Sequence, residues 1–145
     1  MSGMSDAARE AVIARLHAGD CSCVIRSGEE TIVCRERGVR DLYRLLTESP
    51  AVLSGAFIAD KVVGKGAAAL MVLGGVAEVY TDVISRPALA LFSRSGIKVA
   101  YGECVDNIIN RKGDGICPVE SLCMNCATAA ECLPLIEKFL NGNSK

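Results

Sequence analysis

The chain has no tryptophan, one histidine, three phenylalanines and three tyrosines among 145 residues. Single-stranded nucleic acid is held largely by stacking bases on aromatic rings, and this sequence offers few rings. Charge does not replace them, because 16 basic residues face 17 acidic ones for a net charge of −1. A strongly basic nucleic-acid binder is excluded on that balance. Long hydrophobic runs are also missing. The longest, AAALMVLGGVA from Ala67 to Ala77, has 11 residues, against about 20 for a bilayer span. A membrane protein is not expected. The opening MSGMSDAARE lacks the basic segment and apolar core of a secretory signal, so a cytoplasmic location is expected. With only four prolines, and half of its residues hydrophobic, the chain is not of the disordered class.

Cysteine, by contrast, is plentiful, with eight residues. In a reducing compartment these read as free thiols that pack a core, ligate metal or do redox chemistry. No repeat or linker divides the chain, which predicts one domain over residues 1–145. A chain of this length buries roughly two-thirds of its unfolded surface.

Ala8, Val12 and Leu16 recur at i, i+4 and predict a helix within residues 1–18. CSCVIR and TIVCRE are β-rich runs around the turn SGEE, so residues 21–36 read as a hairpin that Gly38 ends. Val39, Leu42, Tyr43 and Leu46 mark an amphipathic helix that stops near Ser49, because Pro50 disfavours helical geometry before it. GAFIADKVV, VAEVYTDVI and IKVAY read as strands. Between them lie the helices GKGAAALMVLGG, closed by Gly74 and Gly75, and a second with Ser85 as N-cap, Pro87 in its first turn and Gly96 after it. This β-α-β-α-β run implies parallel strands joined by right-handed crossovers. With the hairpin added, it predicts an α/β fold, a three-layer α/β/α sandwich on a mixed sheet of about five strands. Residues 105–145 form a Cys-rich loop and helical extension. Thr128 and Glu131 suggest a capping box there, and Pro134 should kink or shorten the last helix.

The strings DKVVGKGAAALMVLGGVAEVYTDVIS, RPALALFSRSGIKVAYG and IINRKGDGICPVE resemble a bacterial domain family of unknown function. That family looks like a zinc-less branch of the cytidine-deaminase-like fold. The resemblance spans roughly residues 21–120 and implies a strand order of 2-1-3-4-5. A zinc deaminase needs H-x-E on one crossover helix and P-C-x-x-C at the start of the next. Here the first helix begins GKGAAAL, and no His, Cys, Asp or Glu occurs from Val62 to Ala77. The second keeps Pro87 but continues Ala88, Leu89, Ala90, Leu91. The only histidine, His17, lies outside the motif. Zinc deaminase activity is therefore not expected, since function lives in the site and not the fold.

Ligands of α/β folds bind at the carboxyl edge of the sheet, where helix N-termini offer free amides and partial positive charge. Gly64, Lys65 and Gly66 lie at one helix start, and Ser85 and Arg86 at the other. Asp60, Lys61 and Asp82 belong to the preceding strands. The loop NRKGDGICPVE adds Asn110, Arg111, Cys117 and Glu120, and its glycines let it fold tightly. Together these residues predict a polar cavity for a small anionic or nucleotide-like molecule. The bland alternative is a pair of tight turns with solvated charges. Cys117 as a nucleophile lacks a nearby base. Cys117, Cys123, Cys126 and Cys132 form a metal-ligand candidate, weakened by having one C-x-x-C where structural zinc usually has two. Cys21, Cys23 and Cys34 read as packing residues of the hairpin. Three function classes follow. The first is a ligand-binding or regulatory domain. The second is an enzyme of unassigned reaction using Asp60, Lys65, Cys117 or Glu120. The third is a Cys–metal interaction module. No cofactor is called for, and a homo-oligomer is compatible with the sequence.

Overall fold

The computed structural model describes residues 5–35, 39–109 and 112–142. Glu36, Arg37, Gly38, Asn110 and Arg111 lie outside the described residues.

Helix α1 (Asp6–Ala18) starts where Ser5 Oγ accepts the Ala8 N–H at 3.2 Å. The hairpin follows as β1 (Cys23–Ser27) and β2 (Glu30–Cys34), its turn carried by Gly28 at φ +61°. Helix α2 (Arg40–Glu48) ends before Pro50, as the proline dictates. Then come β3 (Phe57–Val63), α3 (Lys65–Gly74), β4 (Glu78–Ser85), α4 (Arg86–Ser95) and β5 (Lys98–Val105). Gly75 and Gly96 close α3 and α4 at φ +78° and +73°, a left-handed conformation that costs glycine nothing. Ser85 caps α4, its hydroxyl accepting the Ala88 N–H at 3.2 Å. Two helices complete the chain, α5 (Pro118–Cys123) and α6 (Ala129–Gly142).

The five strands form one sheet in the order β2-β1-β3-β4-β5. The hairpin strand β1 is antiparallel to both its neighbours, while β3, β4 and β5 run parallel. Each parallel pair is joined by a helix, as such pairs require. Helices lie on both faces. On one, α1 buries Val12 and Leu16 against Val24, Phe57 and Ala59. On the other, Leu42 and Leu45 of α2, the small-residue helix α3, and Leu91 and Phe92 of α4 cover Ile25, Ile58, Val79 and Ile84. Helices α5 and α6 pack on α3 through Val119, Cys132, Ile136 and Leu140.

Of the two effects expected of Pro134, shortening does not occur: helix α6 runs 14 residues through it. An interior proline costs about 3 kcal/mol. Burying Cys132, Ile136 and Leu140 along one stripe outweighs that cost, since each fully buried apolar side chain contributes roughly 1.5–3 kcal/mol. The capping box forms in part: Thr128 Oγ1 accepts the Glu131 N–H at 3.3 Å, while the Glu131 carboxylate reaches back one residue further, to the Ala127 N–H at 2.8 Å.

Strand alternation breaks in the middle of the sheet. Ile58 and Val63 share one core although an odd number of positions separates them, and so do Val79 and Ile84. A regular strand would place each pair on opposite faces. Both breaks span the paired positions Asp60 and Thr81, which are buried.

Candidate functional site

Strands β3 and β4 end side by side at Val63 and Ile84, so α3 and α4 start side by side. Unpaired helix amides therefore converge at one place, the position at which the sequence predicts an open cavity. The structure places a carboxylate there instead. Glu120 of α5, 1% exposed, accepts the Lys65 N–H at 2.6 Å and the Ser85 hydroxyl at 3.0 Å through Oε1. Its Oε2 accepts the Ile108 N–H at 2.6 Å. Ser85 is used twice, donating to Glu120 and accepting from Ala88. A negative group at two helix N-termini is favoured by the field of both dipoles.

The glycines of GKG are explained by the same docking. A Cβ on Gly66 would lie 2.3 Å from Val119 Cγ1, and one on Gly64 would lie 3.0 Å from Glu120 Oε1. The glycines make room for α5. Gly66→Ala gains about 1 kcal/mol of helix propensity but forces Val119 aside, at about 1–3 kcal/mol for overpacking. The expected outcome is a net loss of about 1 kcal/mol, read as a lower urea midpoint with an unchanged slope.

Lys65 is itself 5% exposed, and its Nζ donates to the carbonyls of Cys126 at 2.5 Å and Met124 at 3.3 Å. The ammonium thus fastens the α5–α6 connection to the start of α3. Cys132 Sγ donates to the Thr128 carbonyl at 3.6 Å, and Cys123 and Cys126 influence its ionisation. Interaction with Cys132 and the positive charge of Lys65 lower the Cys123 thiol, while interaction with Cys123 and burial raise Cys132. Cys117 occupies the N-cap position of α5 without a side-chain cap bond. All eight cysteines are free thiols. Among the described residues, no three histidine, cysteine or acidic side chains are grouped closely enough to hold a metal ion.

Of the residues that the sequence nominates, Lys65, Gly66, Ser85 and Glu120 therefore meet at one point, with Cys117 at the head of the same short helix. The others lie apart. Arg86 is exposed and pairs with Asp106 at 2.8 Å. Lys61 is half-buried on β3. Asp82 faces α1, accepting from the Tyr80 hydroxyl at 2.7 Å and contacting His17 Nε2 at 2.9 and 3.1 Å. Asp60 is 7% exposed beneath the sheet edge, between Cys23 of β1 and Thr81 of β4. Burial pushes its carboxyl up to about 7, against the opposing backbone N–H groups of Val62 and Lys61. Asn110 and Arg111 fall outside the described residues. His17 and Tyr80 carry no local signal, because only the packing of α1 across β4 brings them to Asp82.

Fold and site together define a mixed five-stranded α/β domain whose crossover-helix starts are closed by an internal carboxylate. The sequence profile of the domain of unknown function DUF1893 matches residues 11–140, and the chain belongs to that family. The crystal structure of a DUF1893 family protein from Thermotoga maritima matches with a TM-score of 0.84 at 22% identity, covering 94% of this chain and 92% of that one. No curated protein sequence matches the chain. No helix among the described residues is long and apolar enough to cross a membrane.

Proposed function

We propose that this domain binds a small anionic molecule in a regulatory role, without zinc deaminase chemistry, and that Glu120 is the resident occupant of the ligand position. The observation that carries this reading is the set of three donors from three separate segments, all spent on one carboxylate. A carboxylate or phosphate oxygen has the same requirements as Glu120, so an external ligand enters by displacing it. The residues that zinc chemistry needs are replaced by Gly, Ala and Leu along GKGAAAL and PALAL. Lys65, another candidate for catalysis, is engaged, its Nζ holding two carbonyls.

The test is calorimetric titration of acetate, succinate, inorganic phosphate and a nucleoside monophosphate into wild type and Glu120→Ala. Wild type is expected to bind the preferred anion at about millimolar Kd, the affinity of a few hydrogen bonds less the displacement of Glu120. Glu120→Ala should bind it at least tenfold more tightly, since the competing carboxylate is gone. Adding Ser85→Ala should weaken it again. Titrations that are silent for both proteins, or affinities that ignore Glu120→Ala, would sink the reading.

A further inference from the structure

A row of side chains crosses the sheet away from the Glu120 site. In register, Cys34 of β2 lies opposite Cys23 of β1, Cys23 opposite Asp60 of β3, and Asp60 opposite Thr81 of β4. All four are buried, at 3%, 5%, 7% and 0% exposure respectively. Both thiols belong to the same buried core cluster. Directly opposed residues of antiparallel strands have Cα atoms about 4.5–5.5 Å apart, inside the range a disulfide spans. We infer that Cys23 and Cys34 are a reactive dithiol, that a low-molecular-weight disulfide oxidises them to an intramolecular disulfide, and that Asp60 is the proton acceptor.

The groups around the dithiol suit that task. Its acidic neighbours from the packed elements are Asp60 on β3 and Asp41 on α2, while Asp82 on β4, turned toward α1, acts on Asp60 only through its charge. The neighbouring Cys34 thiol, burial and the charges of these acids raise Cys23 and hold it in the thiol form. A thiol must lose its proton before it attacks sulfur. Asp60 is the carboxyl directly opposite, and desolvation tunes it to exchange a proton near neutrality. Cys34 is the last residue of the edge strand β2 and is followed by exposed Arg35, which puts the dithiol at the rim of the sheet.

The chemistry balances with a disulfide RSSR as oxidant. Cys34 Sγ attacks one sulfur, the S–S bond of RSSR breaks, and the Cys34 proton passes to the departing RS⁻. Cys23 gives its proton to the Asp60 carboxylate and attacks Cys34 Sγ, expelling the second RS⁻, which is protonated in turn. Two protein thiols lose two electrons and two protons, and RSSR becomes two RSH.

The test exposes the full-length wild-type protein to glutathione disulfide, blocks remaining thiols by alkylation, digests with trypsin and maps cross-links by mass spectrometry. Cleavage after Arg15, Arg26 and Arg35 separates residues 16–26 from 27–35. The expected product is these two peptides joined, lighter by two hydrogens, with fragmentation placing the bond on Cys23 and not Cys21. Asp60→Asn should form the same cross-link at least tenfold more slowly, while Cys126→Ser should leave the rate unchanged. Recovery of Cys23 and Cys34 fully alkylated would overturn the proposal. So would a cross-link confined to Cys126 and Cys132, or an unchanged rate in Asp60→Asn.

Discussion

Replacing Glu120 by alanine is expected to destabilise the domain by about 3–5 kcal/mol, the cost of losing one partner from a buried charged network. The loss strands two backbone N–H groups and one hydroxyl that lie under α5. Each buried donor without a partner costs about 1–3 kcal/mol. Three such costs do not add fully, because water enters the vacated space and satisfies part of the demand. Glu120→Gln should lose less, since its amide oxygen still accepts from Lys65 and Ser85, but its NH₂ then faces the Ile108 N–H donor. Urea unfolding measures both. A loss under about 0.5 kcal/mol for Glu120→Ala, the size of an ordinary surface substitution, would show that the carboxylate is not structural.

The second large effect is on pH dependence, through Asp60. Its folded carboxyl ionises at about 7, against 3.8 for the ordinary group, and desolvation is the main cause. Below pH 3.8 the group is protonated in folded and unfolded chains alike and has no effect. As pH rises from there, the unfolded chain releases the proton and the folded one keeps it. Stability is therefore lost progressively up to about pH 7 and is level above it. The slope is about 1.4 kcal/mol per pH unit, and the whole loss is about 4 kcal/mol as an order of magnitude. Asp60→Asn cannot ionise and should lack this slope. Its stability relative to wild type should rise steadily between pH 4 and pH 7 in urea unfolding, then stop rising. Parallel profiles for the two proteins would contradict the assignment.

Local chemistry was enough to read most of the fold. Ser85, Pro87, Gly75 and Gly96 act within one helical turn, so the ends of α3 and α4 were visible in the sequence. The hairpin turn at Gly28 and the helix stop before Pro50 are equally local. Pro134 misled because the force that keeps α6 intact is packing on α3, which sequence spacing does not weigh. At the site, Lys65, Gly66, Ser85 and Glu120 were legible as a group, yet their relation was not. GKG reads as a cradle for an outside anion, whereas the atoms that its glycines admit belong to Val119 and Glu120. The bonds of Glu120 to Ser85 and Lys65 cross 35 and 55 residues, a range at which no periodicity or cap rule operates. The Cys23–Asp60 opposition was hidden for a related reason, since it needs the register of β1 on β3 and not the pattern of either strand alone.

In polymer terms, the Glu120 carboxylate is a noncovalent cross-link. It ties position 120 to positions 65, 85 and 108 at once, closing nested loops that span 55, 35 and 12 residues. Closure entropy grows only with the logarithm of loop length, about 0.6 kcal/mol per doubling, so the long loops are nearly as easily closed as the short one. All three open together when the one junction is lost. A chain cut before Pro118 would keep every strand of the sheet and both crossover helices. It would lose the junction that holds the starts of those helices to the segment after β5, so the last fifth of the sequence acts as the fastener of the middle.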